Sequence, residues 1–331
     1  MKAIFILFPL LFITVYVFPQ ESEFQPYGNP FATLYANFHK GITGSATDEA
    51  AFELVRGYLG YEYHLSEDFY AKINLDVGSP EDISPYSKLR RYAYFKNAFL
   101  RYTKSDFNIE FGLISLKQFK LQEDIWERRY LMKTLADEYR LGSSADLGVN
   151  FNYKFNEIFD ADFTIMNGEG YSSLQMDDTF KYQVGSTIQF PKNLTTRLVY
   201  DFTKNEIYET TFLVFVSYDW NKKWNLAGEY VFRKNDSWKE DYNRNGFSFY
   251  GKYNLTSKYQ LFARYDIVRS VVLEGDSNPW NLSSDGTALI AGIQFNPIKN
   301  IKLALNYHDW YPWAANADGG GFIFFDLEVK M

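Results

Sequence analysis

Cysteine is absent from the chain. That excludes a disulfide-stapled secreted scaffold, thiol chemistry and any thiolate metal site. Beyond the N-terminus no run approaches the ~20 consecutive apolar residues of a transmembrane helix, so a helical membrane protein is excluded as well. An excess of positive charge is also missing: 34 Lys and Arg against 41 Asp and Glu leave a net charge of -7. A nucleic-acid partner would want a basic face, and none is expected. Histidine is limited to His39, His64 and His308.

What the chain does have begins with an export signal. Met1 and Lys2 are followed by an apolar run from Ala3 to Phe18, with no charge before Glu21. A short basic start and a core too short for a spanning helix read as a secretory signal peptide over residues 1–20. Cleavage is expected near Pro19 to Ser22, although no A-x-A site marks the bond. Residues 21–331 then form a single barrel domain, on the following argument.

From Ser144 to Phe155 the chain alternates strictly. Ala145, Leu147, Val149, Phe151, Tyr153 and Phe155 fall on one face; Asp146, Gly148, Asn150, Asn152 and Lys154 fall on the other. This is a strand with one apolar and one wet face. Similar segments follow one another along the chain, and the lengths of their connections alternate too. Short exits at Ser66, Glu67 and Asp68, at Lys104, Ser105 and Asp106, and at Asn221 and Lys222 are interleaved with long polar connections at Lys40 to Ala50, Gly78 to Leu89, Asn167 to Thr179, Lys234 to Asn245 and Arg269 to Gly286. A longer connection is also expected around Thr203 to Tyr208. Transmembrane barrels have short periplasmic turns, long outer loops and an even number of strands of about 9 to 11 residues. A soluble sandwich alternates along its strands, but nothing in its physics sorts hairpins by length onto two ends. The expected fold is therefore all-β: a transmembrane antiparallel β-barrel of about 16 strands.

Aromatic placement agrees. Tyr63, Phe69, Tyr102, Phe107, Tyr153, Phe159, Phe190, Trp220, Trp224, Tyr253, Tyr259 and Phe295 flank the short turns, where amphipathic rings would sit at the periplasmic headgroup level. The chain stops on an amphipathic strand, with Ile323, Phe325, Leu327, Val329 and Met331 alternating with Phe324, Asp326, Glu328 and Lys330. That segment resembles the C-terminal strand of Gram-negative outer-membrane proteins, which the barrel assembly machinery recognises, except that Met331 stands where that pattern has Phe.

One stretch breaks the period. From Lys117 to Arg140 the apolar residues Leu121, Ile125, Met132, Leu135 and Tyr139 recur every three or four positions among mixed charges, and the stretch reads as one polar, weakly amphipathic helix. It lies between strands five and six, the third outer loop if both termini are periplasmic. Together with Trp126, Glu127, Arg128, Arg129, Tyr130, Lys133, Asp137, Glu138, Tyr139 and the run from Gly142 to Gly148, this placement resembles the general and phosphate-selective porins of Gram-negative outer membranes. That resemblance implies a bacterial outer-membrane location and an in-folded loop that narrows the lumen. Glu123, Asp124, Glu127, Arg128, Arg129, Lys133, Asp137, Glu138 and Arg140 would then line the constriction, where fixed charge sets ion preference.

The alternation places Arg56, Lys72, Arg101, Asp146, Lys154, Arg197, Glu229, Arg233, Arg264 and Asp266 toward the lumen. The two signs nearly balance, so phosphate selectivity is not carried over from the resemblance. Weakly selective passive diffusion of small hydrophilic solutes and ions is expected instead. A closed structural or adhesive barrel, blocked by the insertion and acting through its outer loops, is the alternative. An outer-membrane hydrolase would need a triad such as His39 or His308 with Ser45, Asp48 or Asp309, yet no G-x-S-x-G and no H-E-x-x-H run occurs. The chain is read as a non-enzyme that needs no cofactor or metal. Asp241 begins a calcium-like loop, but Lys252 stands at the position of the bidentate Glu. Asn316, Asp318 and Gly319 to Gly321 read as a flexible loop. Expected partners are outer-membrane lipid, the assembly machinery and small solutes, with a homotrimer left open.

Overall fold

The period-two segments pair in sequence order, and in the computed structural model they close into one antiparallel barrel of sixteen strands. The structure describes residues 24–78, 92–175, 177–271, 285–314 and 317–331. The signal segment, all of the Gly78 to Leu89 connection except Gly78, most of the Arg269 to Gly286 connection, and Asn316 lie outside the described residues. The strands are β1 (Tyr27–Gly44), β2 (Ala50–His64), β3 (Phe69–Gly78), β4 (Tyr92–Lys104), β5 (Phe107–Ser115), β6 (Ala145–Lys154), β7 (Phe159–Met166), β8 (Lys181–Phe190), β9 (Leu194–Lys204), β10 (Tyr208–Trp220), β11 (Trp224–Lys234), β12 (Arg244–Asn254), β13 (Tyr259–Ser270), β14 (Gly286–Ile298), β15 (Ile301–Pro312) and β16 (Gly320–Lys330).

Closure is made by β1 and β16, whose register runs from Thr33 opposite Lys330 to Gly44 opposite Gly320. Ala32 and Met331 exchange amide bonds at 3.0 and 2.8 Å, so the last residue is part of the seam. Each of the sixteen described strands is paired on both edges, the condition for burying a sheet in an apolar medium. Alternation then sorts the side chains. Leu59, Tyr61 and Tyr63 of β2 are exposed outward, while Tyr58, one position before Leu59, is buried inside. At the end that carries Tyr27 and Met331, outward rings pair across neighbouring strands: Phe69 with Tyr102 at 5.0 Å, Trp224 with Tyr253 at 4.4 Å and Tyr259 with Phe295 at 4.8 Å.

Three expectations from the sequence are corrected. The connection expected over Lys40 to Ala50 shrinks to 45–49, because β1 and β2 continue outward with Lys40 opposite Ala50. The longer connection expected around Thr203 to Tyr208 is only 205–207, as short as the turns at the opposite end. Tyr208 pairs with Lys204 and carries the ladder almost to the tip, since period-two polar residues at a rim cannot be told from loop by pattern alone. Finally, the single helix expected from Lys117 to Arg140 is two: α1 (Lys117–Trp126) and α2 (Leu135–Glu138). Glu127 ends α1 in the left-handed region at φ 58, with its amide donating to the Glu123 carbonyl at 2.8 Å. Arg140 is left-handed too, at φ 55. The break lets Arg128, Arg129 and Tyr130 reach three different parts of the wall.

Candidate functional site: the lumen and its insertion

Both helices lie inside the barrel. Leu116 N donates to Ser144 O at 3.0 Å, directly above the Ser115 and Ala145 pair, so the insertion leaves and returns through one closed neck. α1 buries Gln118, Phe119, Gln122 and Trp126, a stripe along one face. Trp126 packs edge-on against Tyr250 of β12 at 5.2 Å and Phe262 of β13 at 6.3 Å, and its indole N–H donates to Met132 O at 2.8 Å.

The wall facing this stripe is apolar, which alternation alone does not lead one to expect of a lumen. Leu213 and Phe215 of β10, Val231 of β11, Val268 of β13 and Ile290 of β14 are buried inward in one cluster with Phe119, Leu135, Ala136 and Leu141 of the insertion. Gly246 of β12 belongs to the same seat: a Cβ there would stand 3.2 Å from Leu135 and 3.3 Å from Leu141. Burying these side chains supplies the general attraction for the insertion. The signal was in the sequence, since Leu213 and Phe215 share a face with Glu209, Thr211 and Ser217, but it breaks the wet-lumen rule.

Directional bonds then fix the pose. Arg264 grips Asp266 through Nε at 2.9 Å and Nη2 at 2.7 Å, and its Nη1 donates to the Lys133 carbonyl at 2.5 Å. Arg244 donates to Tyr139 O at 2.7 Å and Arg233 to Leu141 O at 2.7 Å, while both arginines also meet Asp236 in the 235–243 connection. Lys252 meets Glu127 at 2.6 Å, and Lys302 reaches the Glu127 carbonyl at 2.7 Å. The Tyr139 hydroxyl donates to Asp266 at 3.2 Å, and the Tyr130 hydroxyl to Gln294 at 2.9 Å. Five of the expected lumen or insertion residues are thus part of the clamp, Glu127, Arg233, Arg264 and Asp266 through their charged groups and Lys133 through its backbone carbonyl.

Across the lumen, Arg129 is the link to the opposite wall. It donates to Tyr58 of β2 at 3.4 Å, to Asp137 at 2.7 Å and to Glu123. Arg128 is buried against Phe262 at 4.6 Å and bonds Gln260 at 2.7 Å. Asp124 is exposed and pairs with Lys120; Glu138 accepts from the Lys133 amide at 3.2 Å; the Arg140 carbonyl accepts from Arg233 at 3.5 Å. On the far wall the ionic residues neutralise one another: Arg56 with Asp76 at 3.3 Å, Lys72 with Glu62 at 2.7 Å, Arg101 with Glu110 at 2.6 Å, Arg197 with Asp162 at 2.8 Å. Lys154 pairs with Glu157 at the mouth at 2.7 Å, and Glu229 is buried beside the insertion. Asp146 accepts the amides of Gly168 at 2.9 Å and Gly170 at 3.1 Å. That anchors a second in-folded connection, described over 167–175 and 177–180, where the sequence predicts only a long polar connection from Asn167 to Thr179. Its Tyr171 donates to Asp76 at 2.9 Å, and Lys96 lies over the rings of Tyr58 and Tyr171.

Above the insertion these elements enclose an outer vestibule of about 1090 Å³, lined by both signs, including Arg56, Lys133, Arg140, Asp137, Asp146 and Glu209. Burial works against ionisation of Asp137, but Arg129, Lys133 and Lys96 outweigh it and hold its carboxyl below the usual carboxylate range. A depressed carboxylate stabilises the folded arrangement above its unfolded value of about 3.9, and that contribution is lost as the pH falls through the folded value. Acidification below about pH 4 is therefore expected to loosen the Arg129 contact. In single-channel records the flicker of the wild type should rise steeply below that pH. Asp137→Asn should flicker already at neutral pH and show no such acid step. A variant indistinguishable from wild type at both pH values would remove Asp137 from the constriction.

The residues weighed for hydrolysis do not assemble. Ser45 Oγ donates to Gly319 O at 3.3 Å, and Asp309 accepts the hydroxyls of Tyr307 at 2.5 Å and Tyr311 at 2.7 Å. His39 and His308 both pack on Phe324, at 5.5 and 4.6 Å, instead of on a nucleophile.

No known family's sequence profile matches the chain, and no curated protein matches it in sequence. Solved structures do. Salmonella typhi OmpF, in a complex with daunomycin, aligns with a TM-score of 0.67 at 11% identity, over 92% of this chain and 97% of that one. The anion-selective porin of Comamonas acidovorans aligns at 0.65 and 11%, over 93% and 100%. OmpT of Vibrio cholerae, an outer-membrane protein, aligns at 0.63 and 11%, over 92% and 98%. The likeness is one of fold: the closed, sixteen-stranded antiparallel barrel is shared with these proteins.

Proposed function

We propose that this barrel is an outer-membrane porin of a Gram-negative bacterium, passing small hydrophilic solutes and ions by passive diffusion. The observation that carries the reading is the insertion itself, clamped to one wall by buried ionic bonds beneath a polar vestibule. Selection is by size and by fixed charge in the eyelet, with no chemical step. The outward faces carry the rings that a bilayer demands, and Phe249, in mid-strand opposite Gly228 and Tyr265, is an exposed member. An Arg at that position should cost about 2–4 kcal/mol of barrel stability in a bilayer, read as the urea midpoint of refolding into vesicles. An unchanged midpoint would contradict the membrane reading. The C-terminal strand is the segment the assembly machinery would read. A homotrimer is part of this reading, since Vibrio cholerae OmpT has been described in a trimer form.

Liposome swelling tests the solute class. Vesicles containing the refolded protein should swell in isotonic pentose or hexose and progressively less in larger oligosaccharides. Equal rates with and without protein would favour the second reading, a closed barrel acting through its outer loops. That reading is favoured by one specific feature, the reach of Arg129 across the lumen to Tyr58.

A further inference from the structure

The short turns at the end that carries Tyr27 and Met331 fall into two arcs of opposite charge. From β2 to β7 they carry Glu67, Asp68, Asp106 and Glu157, and the lysines there are neutralised: Lys104 by Asp68 at 3.2 Å and Lys154 by Glu157 at 2.7 Å. From β8 to β15 the turns carry Lys192, Lys222, Lys223, Lys258 and Lys299, all exposed. None of their five ammonium groups has a hydrogen-bond or ion-pair partner among the described residues. The carboxylate beside them, Asp219, is held by Asn225 at 2.8 Å.

This second arc is a built surface. Neighbouring turns are tied through their backbones: Asp219 N to Asn193 O at 3.1 Å, Asn254 N to Lys223 O at 2.8 Å, and Asn296 N to Lys258 O at 2.8 Å. Lys192 and Lys222 are left-handed, at φ 67 and 56, in tight turns that hold the chain at the rim. Directly beneath, on the outer wall, Phe190, Trp220, Trp224 and Tyr259 are exposed. Such rings settle at the headgroup level of a bilayer, and ammonium groups just beyond them in the turns reach its phosphates.

We propose that Lys192, Lys222, Lys223, Lys258 and Lys299 form a docking arc for the phosphate headgroups of anionic glycerophospholipids in the periplasmic leaflet, while the acidic arc from β2 to β7 turns such lipids away. The proposal rests on the outer-membrane reading and adds a lipid class and a sidedness to it. A soluble acidic polymer such as cell-wall glycan would match the charge but would draw nothing from the girdle of rings, so lipid is the better fit.

The test is electron spin resonance of spin-labelled phosphatidylglycerol and phosphatidylcholine around the full barrel in mixed bilayers. The wild type should hold the anionic label about fivefold more strongly per lysine engaged at low salt, with the preference collapsing in high salt. Replacing all five lysines with Gln should abolish the preference, whereas the Lys104→Gln, Lys154→Gln pair on the other arc should leave it intact. A wild-type barrel that inserts and shows no preference overturns the lipid arc alone. One that binds isolated cell-wall glycan through these lysines, with no lipid preference, reassigns the arc to the wall. Failure of the folded chain to enter any bilayer would overturn both the arc and the porin reading.

Discussion

Removing residues 118–139 and joining Lys117 to Arg140 through a short Gly linker should raise single-channel conductance severalfold. The barrel does not depend on the insertion for closure, since every strand is paired with its two neighbours and the β1 and β16 seam lies elsewhere. The neck is already closed by the Ser115 and Ala145 pair, so a tight hairpin can replace the insertion without moving β5 or β6. What the deletion exposes is the apolar seat at Leu213, Phe215, Val231 and Ile290. Burying such side chains is worth about 1.5–3 kcal/mol each, so the shortened barrel should also denature at lower urea concentration. Replacing Leu213 and Phe215 with Thr in the same background should recover solubility without reducing the conductance. If the shortened, folded barrel conducted as the full chain does, the insertion would not be the constriction.

The second large effect is expected at Arg264. Its guanidinium is buried, bonded twice to Asp266, once to the Lys133 carbonyl, and lies 5.2 Å over the Trp126 ring. Arg264→Ala leaves the Asp266 carboxylate buried with only the Ser248 hydroxyl at 2.6 Å and the Tyr139 hydroxyl at 3.2 Å. Breaking one side of a buried pair costs about 3–5 kcal/mol. The cost should fall on the insertion more than on the wall, whose backbone ladder is untouched. Limited proteolysis should therefore cut the variant near Lys133 while the barrel resists, and Trp126 fluorescence should shift to the red. Arg264→Met with Asp266→Asn removes both charges and should restore most of the protection. Equal protease resistance in wild type and Arg264→Ala would show that the apolar seat alone holds the insertion.

The wall was legible in the sequence because two independent regularities coincide there: side chains alternate with period two, and the connections differ in length between the two ends. Where a connection is short, as at 205–207, that second regularity fails, and polar rim residues of a strand look like loop. The insertion was visible as an interruption of the period. Its break was not, because Glu127 and Arg140 carry no sign of the left-handed conformations they adopt. Ionic residues of the lumen could be assigned to a face from alternation alone. Their partners could not, since Arg244 meeting Tyr139 O or Lys252 meeting Glu127 joins positions far apart in the chain. The apolar seat was hidden for a different reason. Phe215 or Ile290 facing inward contradicts a water-filled lumen until the surface that covers it is known.

An open lumen narrowed by a charged eyelet can be read from single-channel recording of the refolded protein in a planar bilayer, with the reversal potential taken across a salt gradient. Discrete, stable conductance steps and a small reversal potential are expected, because the eyelet charges neutralise one another in pairs. Folded barrels that stay silent in the bilayer would mean that the lumen is closed.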